Sequence, residues 1–218
     1  YNFQAGFSSQ TRLKVLQLMI EDFPYSQASE NNKQAILDVF EQKLQGKSSV
    51  LEIGGGTGQH AVFFGEKFPN ISWQSTDVAE NITTLNLRIT HADLKNVPLA
   101  FTLNADDLLW STGKYDAIFT ANTLHIMSSK SVEKLFAKLS DHLNANGIVL
   151  AYGPFKYAGE FTTESNASFD LWLKERNSHC GVRDFERVNE LAKHAGLTLL
   201  EDNSMPASNQ LLVWTKPQ

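Results

Sequence analysis

Val50-Leu51-Glu52-Ile53-Gly54-Gly55-Gly56-Thr57-Gly58-Gln59-His60 places four of the chain's 13 glycines within five positions. An apolar run leads in and helical spacing leads out, so the glycines form a turn between a strand and a helix N-terminus. Glycine there accepts positive φ and lets a ligand approach the backbone with no Cβ in the way. The spacing Gly54-x-Gly56-x-Gly58 has no closing Gly-Lys-Ser or Gly-Lys-Thr, so it is not a phosphate-cradling loop. It also misses the third glycine of Gly-x-Gly-x-x-Gly, because position 59 is Gln, which disfavours pyrophosphate binding. The plain alternative for the loop is a structural turn.

Two carboxylates sharpen the reading. Glu52 lies inside the strand end, where an acid is costly without a cationic or donor-rich partner. Asp77 closes the next run, Trp73-Gln74-Ser75-Thr76-Asp77, 19 residues beyond Gly58, where an acid can accept both hydroxyls of a ribose. Its alternative is a helix N-cap for Ala79 onward. A ligand with a ribose and a positive charge satisfies both acids. S-adenosyl-L-methionine has a ribose, an adenine, a sulfonium and an α-amino group, and no phosphate.

Outward from this loop the chain alternates. Short apolar runs at Ser49–Ile53, Ile71–Thr76, Leu99–Leu103, Ala117–Thr120, Ile148–Tyr152, Leu197–Leu200 and Leu211–Trp214 predict strands. Helical spacing at His60–Phe68, Ala79–His91, Ser131–Leu143 and Asp184–Ala195 fills the intervals, and Leu13–Ile20 and Asn32–Leu44 predict two helices before the first strand. Alternation of this kind builds an open α/β sheet, mostly parallel. About ten residues, including Met205-Pro206-Ala207-Ser208, separate the last two runs, too few for a helical crossover, so they predict an antiparallel pair. Residues 152–183 break the pattern with a loop and a helix at Glu164–Arg176. Tyr152, Phe155, Tyr157, Phe161, Phe169 and Trp172 make this segment aromatic-rich, either as the wall of a ligand pocket or as a satellite core.

The chain's 218 residues suit one domain with an ample core, and 42% apolar with 20% charged residues exclude a disordered or fibrous protein. A net charge of −5 with no basic stripe makes nucleic acid an unlikely partner. Leu13–Ile20 is too short and too charged at its flanks for a membrane span or a convincing signal peptide. Cys180 is the single cysteine, which rules out an intramolecular disulfide or a cysteine zinc cluster and fits a reducing, cytoplasmic setting. The six histidines lack zinc-site spacing, so no metal is expected.

Val50–Gly58 resembles motif I of class I methyltransferases. Thr120–Met127, Tyr152-Gly153-Pro154-Phe155, Phe161–Ala167, Gly181–Glu186 and Met205–Asn209 resemble a family of unknown function that includes methyltransferase-like 26 and its bacterial relatives. The similarity covers about residues 25–215. It implies a single-domain, Rossmann-like class I methyltransferase sheet, mostly parallel with an antiparallel C-terminal strand, at 25–218; residues 1–24 have no counterpart in the family and are read from their helical spacing as an N-terminal helical extension. The cofactor it implies is S-adenosyl-L-methionine. Two positions depart from the family pattern. Asn104 stands where the family has an Asp after the third strand, which makes an adenine contact there neutral, and Asn31 replaces an Arg.

The cofactor set is then Glu52, Gly54, Gly56, Gly58, His60, Asp77, Asn104 and Asn122. Residues just after the fourth and fifth strands face the sulfonium, which selects Asn122, His125 and Tyr152, with Phe155 beside them, for the chemistry. His125 is the base if the acceptor must lose a proton, with a capping or core histidine as its alternative. Asn122 holds acceptor or cofactor by hydrogen bonds, or closes an Asx-turn. Arg183 offers an anchor for an acidic acceptor, and Asp184 an N-cap. The expected partner is a small, partly apolar methyl acceptor, with no membrane involved. The competing readings are a non-catalytic cofactor-binding or scaffold protein, a nicotinamide-dependent oxidoreductase, and methylation of a protein or nucleic acid.

Overall fold

A computed structural model describes residues 23–218. The helix expected at Leu13–Ile20, and nearly all of the 1–24 extension, lie outside the described residues. The chain runs α1 (Gln27–Lys43), β1 (Ser49–Ile53), α2 (Gln59–Lys67), β2 (Ser72–Asp77), α3 (Ala79–Ala92), β3 (Phe101–Thr102) and β4 (Tyr115–Ala121). It continues through α4 (Ser129–Leu139), β5 (Leu143–Gly153), β6 (Phe155–Tyr157), β7 (Glu160–Phe161), α5 (Glu164–Arg176) and β8 (Arg183–Asp184). It closes with α6 (Phe185–His194), β9 (Thr198–Met205) and β10 (Asn209–Thr215).

Seven strands form one sheet in the order β3-β2-β1-β4-β5-β10-β9. β1 pairs in parallel with β2 on one side and β4 on the other, so the strand order reverses there and a crevice opens beyond the carboxyl ends of the two. β10 is antiparallel to both β5 and β9, as the short connection requires. This is the mostly parallel sheet of a class I methyltransferase fold.

Both faces of the sheet are covered. Along β5, Ile148, Leu150 and Tyr152 enter one core layer with the apolar stripes of α1, α2 and α3. Val149 and Ala151 enter the other, with α4 and α6. The period-2 alternation of strand side chains therefore decides which layer each residue joins. In the first layer Phe40, Phe64, Trp73 and Phe119 pack as an aromatic cluster, with Phe40 edge-on to Phe119 at 4.9 Å between ring centres. Such pairs add to the free energy of burial itself.

Several elements differ from the sequence reading: the helix expected at Ser131–Leu143 ends at Leu139, where β5 takes over from Leu143, and β9 runs on to Met205. The run at Leu99–Leu103 yields only the two-residue edge strand β3. α1 starts five residues earlier than expected, because Ser26 accepts the amide of Ser29 at 3.2 Å and caps it there. Residues 152–183 hold a loop and the helix at Glu164–Arg176 as expected, but also a second sheet, β7-β6-β8. Its hairpin turns on Ala158 and Gly159, both at positive φ (49° and 81°), the pattern of a type I′ turn. Among the described residues no helix is long and apolar enough to cross a membrane.

Gly65, in α2, shows how closely α2 sits on its neighbours. A Cβ there would collide with Val97 Cγ2, and Val97 is buried and stiff at χ1. Alanine in place of a helical glycine gains about 1 kcal/mol, whereas overpacking costs about 1–3 kcal/mol. Gly65→Ala is therefore expected to lower stability in urea unfolding, and adding Val97→Ala to recover part of the loss. A stabilised Gly65→Ala would show that the contact relaxes freely.

Candidate functional site

The crevice above β1, β2 and β4 is a cavity of about 560 Å³. Its floor is the glycine loop. Thr76 O, at the end of β2, accepts the amides of both Gly54 and Gly55 at 3.0 and 2.9 Å, which pins the turn to the neighbouring strand. Gly54, Gly56 and Gly58 all lie at positive φ. The reasons for glycine differ, however. A Cβ at Gly54 would collide with Thr123 Oγ1 at 2.5 Å, while one at Gly56 would meet nothing within 4 Å and would instead fill open cavity space. Gly58 lines no part of the cavity; it is the left-handed N-cap of α2 and packs toward Leu85 and Arg88.

Asp77 stands in this floor, and its side chain organises the loop. Oδ2 accepts the Gly56 amide at 2.7 Å; Oδ1 accepts the Val78 amide at 2.7 Å and Asn81 Nδ2 at 2.9 Å. A carboxylate has roughly four acceptor sites, so three donors leave capacity on Oδ2, the oxygen tied to Gly56. The helix N-cap position of α3 belongs to Val78 rather than to Asp77.

The structure also brings His60, Asn104 and Asn122 to this cavity. His60 Nε2 bonds Asn32 Oδ1 at 2.7 Å, and burial pulls its pKa down to about 4, so the ring is neutral at pH 7. Asn104 uses its own Oδ1 on the Asp106 amide at 2.9 Å, and its carbonyl holds Trp110 Nε1 at 3.0 Å. Asn122 ends β4 in a left-handed conformation (φ 56°), with its amide bonded to Tyr152 O at 2.9 Å. Other parts of the wall, which sequence reasoning missed, come from Ser26 and Ser29 at the start of α1, Asn81, and the apolar Ile126 and Met127. Only the serines carried a signal, the Ser26 cap. Gln59 fixes that wall, accepting the Ser26 amide at 2.6 Å and donating to its carbonyl.

Glu52, His125 and Tyr152 do not line the cavity. Glu52 points into the core layer under α1–α3, where it accepts Trp73 Nε1 at 3.0 Å and the Ser75 hydroxyl. Tyr152 and Phe155 are also core residues, at 5% and 1% exposure, so these two do not form the wall of an open pocket. Burial raises the Tyr152 phenol's pKa, against the side chains of Asn32 and Asn209. His125 is buried against Phe169 at 5.2 Å between ring centres, with Nδ1 3.6 Å from where a Gly153 Cβ would stand. Burial first, then the Arg183 charge, lowers its pKa to about 4.

Arg183 is committed to the backbone: its guanidinium donates to Leu124 O at 2.9 Å, to Met127 O, to His179 O at 3.1 Å and to Ser129 Oγ at 2.8 Å. That leaves it a clamp on residues 124–129 rather than a free anchor for an acidic acceptor. Asp184 holds the N-cap position of α6, and its carboxylate accepts the Gly159 amide at 2.9 Å. Among the described residues no cluster of three or more His, Cys, Asp or Glu could hold a metal ion.

The sequence model of the family described as protein of unknown function (DUF938) matches residues 23–216. Solved structures share the fold at low identity. An O-methyltransferase family protein from Burkholderia thailandensis superposes with a TM-score of 0.76 at 18% identity, over 85% of this chain and 56% of that one. Human N-acetylserotonin methyltransferase in complex with SAM gives 0.74 at 16% identity, over 97% and 57%. A putative O-methyltransferase from Nostoc punctiforme gives 0.73 at 18% identity, over 84% and 55%. The chain thus spans little more than half the length of these structures.

Glu52 generates a pH test. Burial raises its pKa from 4.5 to about 7, outweighing the Ser75 and Trp73 hydrogen bonds. The folded state therefore binds this proton more tightly than the unfolded chain, so the stability it contributes is complete below about pH 4.5 and is lost as pH rises through about 7. Relative to wild type, Glu52→Gln is expected to gain a few kcal/mol, as an order of magnitude, between pH 4.5 and 8. Urea unfolding at the two ends of this range measures it; a difference that does not change with pH would place an ionised Glu52 in both states.

Proposed function

The chain belongs to the family described as protein of unknown function (DUF938), a description that assigns no activity, and we propose from its own site that it transfers a methyl group from S-adenosyl-L-methionine to a small, partly apolar acceptor. The observation that carries the reading is the glycine loop folded around Asp77. The carboxylate stands at the floor of a cavity large enough for a nucleoside, with acceptor capacity left for a ribose hydroxyl, and Gly56 keeps the approach open. The cavity fits a cationic nucleoside better than a phosphate. Asp77 supplies negative charge and His60 is neutral, while the acid Asp106 at the edge is paired with Lys134 at 2.8 Å. Asn104 and the apolar Leu103 and Ala105 offer a neutral bed for the adenine. The O-methyltransferase names of the similar structures agree with this class of reaction.

When bound, the cofactor supplies an electrophilic methyl group on a sulfonium. The chain's own residues position and exclude. Asn122 presents its side-chain amide from a left-handed corner that the Tyr152 carbonyl holds in place by accepting its backbone N–H. Ile126 and Met127 give an apolar side to the space beside it, and alignment in a dry pocket carries much of the acceleration of an in-line displacement. We assign Asn122 to orienting the acceptor or the methyl-bearing end of the cofactor, and Tyr152 and His125 to holding that corner from behind. A conjugate acid near pH 4 makes His125 a weak base, which suits acceptors that need no strong one.

Calorimetric titration with S-adenosylhomocysteine is expected to show binding, and with NADH none; the reverse would favour an oxidoreductase. Asp77→Asn, which sets an amide against the Gly56 N–H, should weaken S-adenosylhomocysteine about 10-fold to 150-fold, the worth of about 1.5–3 kcal/mol for a hydrogen bond to a charged group. Gly56→Val should do worse, because it strains a positive-φ position and fills the approach. Normal binding by both variants, with folding intact by circular dichroism, would reduce the loop to a turn. Binding without turnover across a metabolite panel would point to the non-catalytic reading.

A further inference from the structure

A second cavity, of about 630 Å³, begins where the first ends: Met127 lines one and Ser128 the other, and among the described residues they share no lining side chain. In a chain of net charge −5, this cavity gathers four cations, Lys130, Lys156, Lys174 and Arg183, against, among the described residues, the single carboxylate of Asp170. Asp170 is buried and already engaged, accepting the Val182 amide at 2.8 Å and Lys174 Nζ at 2.6 Å. Lys130 and Lys156 make no ion pair among the described residues. Lys156 rides over the Phe161 ring at 5.5 Å, and Asp184 beside it gives its carboxylate to Gly159.

Like charges gathered in excess of their counter-charge raise the local potential and focus it in a concave site, which draws an anion. The available donors say which anion. Planar, two-pronged recognition of a carboxylate needs a free guanidinium fork, and that of Arg183 is spent on backbone carbonyls. What remains are ammonium groups, which act as point charges from separate directions and suit a tetrahedral oxyanion. The first turn of α4 adds amides at Ser129 and Lys130 that have no partner within the helix.

We propose that this cavity binds a phosphate group, free or carried as the monoester of a small molecule, at a site separate from the glycine-loop cavity. The proposal does not rest on the methyltransferase reading. Cys180 lines the same cavity and is the only cysteine of the chain, so its alkylation reports occupancy without background. Inorganic phosphate is expected to slow the reaction of Cys180 with iodoacetamide, and sodium chloride at equal ionic strength or sodium acetate to leave it unchanged. Lys130→Glu and Lys156→Glu should each weaken phosphate about 10-fold and together abolish protection. Calorimetry of phosphate into wild type and the double variant gives the same comparison without the thiol. Tighter binding of phenyl phosphate than of inorganic phosphate would identify a monoester as the occupant, and the opposite order free phosphate. Equal protection by chloride, protection that survives in the double variant, or the absence of both protection and heat would overturn the proposal.

Discussion

The hydrogen bond from the Gly56 amide to Asp77, at 2.7 Å, is the joint on which the candidate site depends. It ties the turn after β1 to the end of β2, and Thr76 O reinforces the tie by accepting the amides of Gly54 and Gly55. Three successive amides are thereby turned toward β2, which sets where α2 begins. α2 in turn fixes the wall above the cavity, since Gln59 grips Ser26 at the start of α1. A hydrogen bond to a carboxylate is worth about 1.5–3 kcal/mol, enough to hold a loop of glycines whose own conformational entropy favours disorder.

The core explains why the loop can bear this demand. β1 is covered on both faces, and its residues alternate between the aromatic layer under α1–α3 and the layer under α4 and α6. Glu52 interrupts that pattern. It shares a face with Val50 and Trp73, and its acceptors answer two donors, the Trp73 indole and the Ser75 hydroxyl, that would otherwise be buried without partners. Burial keeps the acid largely protonated up to about neutral pH. Its role in the fold is to satisfy the polar atoms of an aromatic layer, two residues before the glycine loop begins.

Much of this was legible in the sequence, and what was not has a physical reason. Parallel strands buried on both faces read as largely apolar runs, so β1, β4 and β5 stood out, whereas β2 is mostly polar in sequence. The strands β6, β7 and β8 hold two or three residues each, too few for a period, and the turn at Ala158-Gly159 lacks the asparagine or aspartate that usually marks such a hairpin. In the site, Gly54, Gly56, Asp77, Asn104 and Asn122 could be placed because backbone position after a strand decides them. Tyr152 could not, because the parity of β5 sends its side chain into the aromatic layer, and strand order alone does not reveal parity. Ile126 and Met127 reach the cavity from a segment without regular structure, for which periodicity is silent.

That segment, residues 124–128, separates two cavities of opposite electrical character. On the glycine-loop side Asp77 provides the unneutralised charge and the buried imidazole of His60 is neutral, so a cation is welcome and a phosphate is not. On the other side Lys130, Lys156 and Arg183 reverse the preference. Arg183 is the partition between them: burial lowers the pKa of its guanidinium, and four oxygens from Leu124, Met127, Ser129 and His179 surround it. A lysine could not span those four acceptors with three donors on one nitrogen. The same guanidinium thus fixes the path of the segment whose other face carries Ile126 and Met127, and its charge depresses the His125 imidazole further. One side chain thus helps to shape one cavity and adds to the charge of the other.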